Sequence, residues 1–166
     1  MERRASIFAA SKHILKVGSR QNLGPDTWEL TRLGINDLAI SPDSLYLVTA
    51  SDSLLAHLHQ LRPTVPPPLP GPMQIYEGHT AAILSITFSP SSNMLVSGSM
   101  DESAIIWDVK SGRSMRQLPA HSEAVWCVGW DASGGIVITS SADGLMWVVS
   151  SSSSSWPSAD SGLVLG

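Results

Sequence analysis

The chain repeats itself. Gly78-His79 returns 42 residues later as Ala120-His121, and Ser99-Met100-Asp101 returns at the same interval as Ser141-Ala142-Asp143. Apolar positions between these anchors coincide as well. Ile83, Leu84, Ile86 and Phe88 stand against Val125, Trp126, Val128 and Trp130, and Met94-Leu95-Val96 against Ile136-Val137-Ile138. A period of this length means that one supersecondary unit is used several times and that neighbouring units bury their apolar faces on each other. An earlier copy lies 48 residues upstream of the middle one: Ile35, Asn36, Leu38 and Ile40 match Ile83, Leu84, Ile86 and Phe88, and Ser41-Pro42 matches Ser89-Pro90. The insertion PTVPPPLPGP, residues 63–72, takes up the extra spacing.

Within each copy, apolar residues alternate at period two over four to six positions, bounded by Ser, Pro, Gly, Asn and Asp. That pattern predicts short strands. In the middle copy they fall near 73–76, 82–88, 94–99 and 103–108, with turns at Ser89 to Asn93 and Met100 to Glu102. In the first copy Leu45-Tyr46-Leu47-Val48 forms the second strand and Ser51-Asp52 the turn after it. Four strands in about 42 residues make one blade of a β-propeller. The predicted fold is therefore all-β, a partial propeller of about three four-stranded antiparallel blades with disordered tails. The three repeats occupy residues 26–62, 73–112 and 115–149. Residues 1–25 form a basic tail, residues 63–72 an extended surface loop, and residues 150–166 a Ser-rich low-complexity tail. The proline-rich loop serves as a spacer or as a ligand for a proline-recognition module.

Composition sets the outer bounds. The chain has 166 residues, enough for one domain, with 43% apolar and 14% charged residues, so it can bury a core. No apolar run is long enough for a membrane-spanning helix. A single cysteine, Cys127, excludes an internal disulfide and a multi-cysteine metal site. Residues 1–25 carry five cations against one acid, while residues 26–166 carry five cations against thirteen acids. The acidic body has no Lys/Arg cluster for a phosphate backbone, which argues against direct nucleic-acid binding. The basic N-terminal stretch reads as a tail or as a transit peptide, the latter leaving the mitochondrion open as a compartment.

The middle copy carries Gly78-His79, then Ser97-Gly98-Ser99-Met100-Asp101, then Trp107-Asp108. In this order and spacing it resembles the WD-repeat family. The resemblance implies a buried hydrogen-bond chain over His79, Ser99 (or Ser97), Asp101 and Trp107, and over His121, Ser141 and Asp143 in the third copy. These residues are then scaffold, because a buried imidazole or indole N–H requires a partner. Val149 stands where the third copy should have its Trp, and Trp147 where an outward-facing polar residue is expected. In the first copy Leu58 is read at the Trp position.

Residues 98–125, GSMDESAIIWDVKSGRSMRQLPAHSEAV, are similar in greater detail to the propeller subunit of COMPASS-type histone lysine methyltransferase complexes. That family holds a partner's arginine in its central channel between two aromatic rings. The matching positions here are Leu84 and Met100. A third channel position, tyrosine in that family, is Ala142, and Asn36 replaces a serine near the mouth. With Trp126, these residues form the partner-binding set that the resemblance implies. Partners are then proteins, such as methyltransferase subunits or a histone tail, and the setting is intracellular, the nucleus before the cytoplasm.

No enzyme motif accompanies this pattern. Phosphate loops of the G-x-x-x-x-G-K and G-x-G-x-x-G types and the G-x-S-x-G elbow are absent. Cys127 is expected to be an inert core thiol on a buried strand. His57-x-His59 places two imidazoles on one strand face, with an edge strand the plain reading and a metal seed lacking a third ligand the other. No catalytic residue, metal or cofactor is assigned. The leading function is a non-enzymatic interaction scaffold. The alternatives are a ubiquitin-ligase substrate adaptor and a truncated propeller fragment without independent activity, since a family propeller has about seven blades. Blades left uncovered would permit self-association.

Overall fold

The computed structural model describes residues 34–61, 72–118 and 121–151. The basic tail and nearly all of the proline-rich and Ser-rich segments lie outside these residues. The described residues form eleven strands. They are β1 (Ile35–Ile40), β2 (Tyr46–Ser51), β3 (Ala56–Gln60), β4 (Gln74–Tyr76), β5 (Ile83–Phe88), β6 (Met94–Ser99), β7 (Ala104–Asp108), β8 (Ser114–Gln117), β9 (Val125–Trp130), β10 (Ile136–Ser141) and β11 (Met146–Ser150). All pair antiparallel, in three sheets ordered β1-β2-β3-β4, β5-β6-β7-β8 and β9-β10-β11. This is the all-β partial propeller that the repeat predicts.

Sheets and repeats are out of step by one strand. The strand expected to open the middle blade, β4, pairs instead with β3 of the first sheet through Ala56↔Tyr76, His57↔Ile75 and Leu58↔Gln74. In the middle sheet β8 takes the outer place. Each such outer strand precedes the next repeat's innermost strand, so the covalent chain ties neighbouring sheets together. Tyr76 adds a further tie. It is buried, packs edge-on against Trp107 at 5.7 Å between ring centroids, and donates its hydroxyl to the Val109 carbonyl at 3.1 Å.

Two apolar layers hold the sheets. Val48, Ala50, Leu58 and Tyr76 of the first sheet meet Ile83, Leu95, Ile105 and Trp107 of the second. Val96, Ala104 and Ile106, from the second sheet's other face, meet Val125, Val137, Trp147 and Val149. The middle sheet is thus covered on both faces, which is why β7 reads AIIW without alternation. Close approach is built in at Gly98, where a Cβ would lie 2.7 Å from Val125 Cγ1 and 2.9 Å from Val128 Cγ1.

Four expectations need correction. Trp147 is buried, not outward-facing, because it shares the inward face of β11 with Val149. Cys127 is exposed, not a core thiol. An irregularity in β9 at Trp126 inverts the alternation, so Val125 and Val128 both approach Gly98 in the middle sheet while Cys127 does not pack there. β3 is not an edge strand, since it pairs with both β2 and β4. Finally, the registers Leu47↔His59 and Leu95↔Trp107 place His59, not Leu58, at the Trp position of the first copy.

Candidate functional site

The repeat's polar residues assemble into a continuous hydrogen-bond chain. Trp107 Nε1–H donates to Ser97 Oγ at 2.8 Å, Ser97 Oγ lies 2.7 Å from His79 Nε2, and His79 Nδ1 lies 2.8 Å from Asp101 Oδ2. Indole N–H can only donate, so the Ser97 hydroxyl accepts from it; with burial pushing the His79 pKa down and its Nδ1 facing the carboxylate, Nε2 is left unprotonated and accepts from the same hydroxyl. His79 is then neutral, with its proton on Nδ1 directed at the carboxylate. Asp101 also accepts from Thr80 N–H and from the Ser103 hydroxyl. Burial pushes the His79 pKa down, against the opposing pull of the Asp101 hydrogen bond and charge. Burial alone would raise Asp101, but the hydrogen bonds from Ser103 and Thr80 and the His79 contact leave it below the usual carboxylate range.

The serine of this chain is therefore Ser97. Ser99 donates instead to the carbonyls of Ala81 and Ala82, closing the turn before β5. The third copy follows the same rule. His121 Nε2 meets Thr139 Oγ1 at 2.9 Å and His121 Nδ1 meets Asp143 Oδ2 at 3.0 Å, while Ser141 donates to the Glu123 carbonyl. The missed signal was position along the strand: Ser97 and Thr139 share the face of Leu95 and Val137 two residues in from the strand end, whereas Ser99 and Ser141 are the last residues of β6 and β10, beside the turn. In the first copy Ser53, not Asp52, stands at the Asp101 register, and its N–H bonds Ser51 Oγ as that of Asp101 bonds Ser99 Oγ.

The residues implied in partner binding share a different geometry. Pairing steps from Ile35↔Ser51 to Asp37↔Ala50, from Ile83↔Ser99 to Ser85↔Gly98, and from Val125↔Ser141 to Cys127↔Ser140. Asn36, Leu84 and Trp126 are each the unpaired residue of a β-bulge, a device that re-aims a side chain. Opposite them, at the β2, β6 and β10 ends, stand Asp52, Met100 and Ala142, whose N–H groups bond the carbonyls of Gly34, Ala82 and Ala124. All six residues lie at the same end of their sheets. Trp126 is 61% exposed and Met100 55%, while Leu84 is half-buried and Ala142 exposed. Asn36 is already engaged, donating to Asp52 Oδ1 at 2.8 Å and to the Ile83 carbonyl at 3.0 Å.

Neither feature resembles a reaction centre. The His–Asp pairs are spent within the scaffold, and among the described residues no three His, Cys, Asp or Glu side chains gather as a metal site requires. His57 and His59 lie with ring centroids 6.4 Å apart, both with pKa values pushed down by burial.

Antiparallel sheets stacked through apolar layers, with a Trp–Ser–His–Asp chain inside the middle repeat, define a repeat-built β protein. The family described as WD domain, G-beta repeat matches residues 28–56, 71–108 and 112–150, and the chain belongs to it. It is similar to COMPASS component SWD3 of Saccharomyces cerevisiae, with 37% identity over 112 residues, covering 67% of this chain and 33% of that protein. It is also similar to the Poly(A)+ RNA export protein of Schizosaccharomyces pombe (33% identity, 57% of this chain, 25% of that protein). A further similarity is to a ribosome biogenesis protein BOP1 homolog of Monosiga brevicollis (36%, 44% and 9%). The chain spans a third or less of the length of these relatives.

Proposed function

We propose that this chain is a non-catalytic protein-interaction scaffold whose partner surface is the bulge-and-turn end carrying Asn36, Leu84, Met100, Trp126 and Ala142. The carrying observation is the recurrence of a bulge at the same register in all three inner strands, with large apolar side chains exposed at the third bulge, Trp126, and opposite the second, at Met100. A free apolar surface of this kind, on a rigid strand framework, is what partner recognition uses. The specific form of the reading is membership of a histone lysine methyltransferase complex in the nucleus, supported by the similarity to COMPASS component SWD3. An arginine clamp between rings is not part of it, because Leu84 and Met100 offer no π face.

The test is affinity capture of the full chain from nuclear extract, beside Trp126→Ser and Met100→Ser. The expected result is recovery of methyltransferase subunits by the wild type and their loss with either variant. Capture of a ubiquitin ligase, or of ribosome-biogenesis or RNA-export factors, would overturn the methyltransferase reading. Capture unaffected by both substitutions would overturn the surface itself.

A further inference from the structure

Each sheet has two faces, and the repeat gives the same face the same task. Val48, Ala50, Ala56 and Leu58 of the first sheet correspond to Val96, Gly98, Ala104 and Ile106 of the second. Each set packs against the sheet that follows. The following sheet answers with Ile83, Ile86 and Phe88 of β5, or with their counterparts Val125, Val128 and Trp130 of β9. The chain thus makes one kind of face-to-face contact twice, β2 over β5 and β6 over β9.

The two halves of that contact are left open at the two outer sheets. On the third sheet the covering positions are Ile138, Ser140, Met146 and Val148. Val148 is 40% exposed, whereas its counterparts Leu58 and Ile106 are buried. A Cβ on Gly129, which pairs with Ile138 on the same face, would meet nothing within 4 Å. On the first sheet the receiving positions are Ile35, Leu38 and Ile40. All three are exposed, Leu38 at 51%, whereas Ile83, Ile86 and Phe88 are buried. The faces also match where the sheets come closest. Ala50, Gly98 and Ser140 share one register, and Gly98 lies against Val125 and Val128, whose counterparts in the first copy are Ile35 and Leu38. Neither outward face carries an Asp, Glu, Lys or Arg along its strands. His57 and His59 on the first face are uncharged at neutral pH, since burial holds both below their ordinary pKa. Contiguous apolar faces of this kind mark interaction surfaces.

We propose that these two faces form one interface between copies of this chain, the outer face of the third sheet of one copy stacking on the outer face of the first sheet of the next. Ile138, Met146 and Val148 then cover Ile35, Leu38 and Ile40, as Val96, Ala104 and Ile106 cover Val125 and Val128. Two different faces meet, so the contact is head-to-tail and each added copy presents a further open face until a ring closes. It is independent of the bulge-and-turn surface, which lies at the strand ends and not on the sheet faces.

The experiment is sedimentation equilibrium of the full chain from about 1 to about 100 µM, the range in which an interface of modest area associates. The wild type is expected to exceed the mass of one chain as concentration rises, with amide exchange in β10 slowing in step. Val148→Asp and Leu38→Asp each put a carboxylate on one of the two faces. Each should weaken association at least about tenfold and leave single chains. Both residues are exposed in their own copy, so far-ultraviolet circular dichroism should match the wild type. An equimolar mixture of the two variants retains one intact face of each kind, and it should form a dimer and nothing larger. If either variant loses its circular dichroism, Ile136→Asp and Ile40→Asp place the charge elsewhere on the same two faces. A wild type of single-chain mass at every concentration would overturn the interface. So would self-association by either variant alone, which requires like faces to pair, or a mixture that stays at single-chain mass.

Discussion

Trp107 and Trp147 make the same ring contact from different registers. Their centroids lie 6.1 Å from His79 and His121 respectively, at interplanar angles of 63° and 65°. Trp147 nevertheless stands two residues earlier in its repeat, since Val149 pairs with Val137 as Trp107 pairs with Leu95. A shift of two keeps the side chain on the same face, so the imidazole retains its aromatic neighbour. The hydrogen bond does not survive the move. Trp107 Nε1 is bonded to Ser97, whereas buried Trp147 Nε1 has no partner. Trp107→Phe should therefore cost about 1 kcal/mol in urea unfolding, and Trp147→Phe should be neutral or slightly stabilising. Ser97→Ala, which strands both the indole N–H and His79 Nε2, should cost about 2 kcal/mol or more. The buried histidines set the pH response. Burial holds His79 below its ordinary value of 6.5, and His57 and His59 likewise. Above that pH they are neutral folded or unfolded. As pH falls through it, the unfolded chain binds protons that the folded chain refuses, so stability declines. Asp101 and Asp143, held below the usual carboxylate range, add a second loss at lower pH, as their folded-state carboxylates protonate. Urea midpoints should drop between pH 7.5 and 5.5 and again below about pH 4.

The strands are held at their ends by turns that recur as faithfully as the strands. Positive φ occurs at Ser44, Ser92 and Gly134 at one end and at Leu54, Glu102 and Gly144 at the other. These are equivalent positions in the three copies, and only the third copy fills both with glycine. A non-glycine residue in this region costs about 1 kcal/mol. Leu54, at φ 68° and partly exposed, should yield to Leu54→Gly with a gain of several tenths to about 1 kcal/mol, read as a higher melting temperature. Gly98→Ala should do the reverse. The added methyl meets two valines of the third sheet inside 3 Å, and both sit in a packed layer, so a loss of about 1–3 kcal/mol is expected. An unchanged denaturation midpoint in Gly98→Ala would show that the two sheets pack less closely than these distances require.

At the scale of the whole molecule the three sheets are not equivalent. Apolar layers cover the middle sheet on both faces. The third sheet keeps Ile136 and Val148 about two-fifths exposed on the face turned away from the middle one. Local opening should follow that gradient. Amide hydrogen exchange is expected to be slowest in β6 and β7 and measurably faster in β10 and β11. Equal protection in β6 and β10 would mean that the third sheet's outer face is covered in solution, which an oligomeric-state measurement would then show.

The repeat, its strand pattern and the His, Asp and Trp of the middle copy were legible from residue order alone. The sequence by itself thus determined the family and the all-β class, because period-two burial and recurrent turn residues are local properties of the chain. What it did not disclose depends on register between strands. A two-residue difference in depth along the strand moved the bonded hydroxyl from Ser99 to Ser97 and from Ser141 to Thr139, and a one-residue difference in register moved the Trp position of the first copy from Leu58 to His59. A bulge at Trp126 turned Cys127 away from the middle sheet, and pairing across repeats gave β4 to the first sheet. Each of these was decided by tertiary structure, because a strand's faces acquire meaning only when a neighbouring strand fixes the hydrogen-bond register and a neighbouring sheet covers one side.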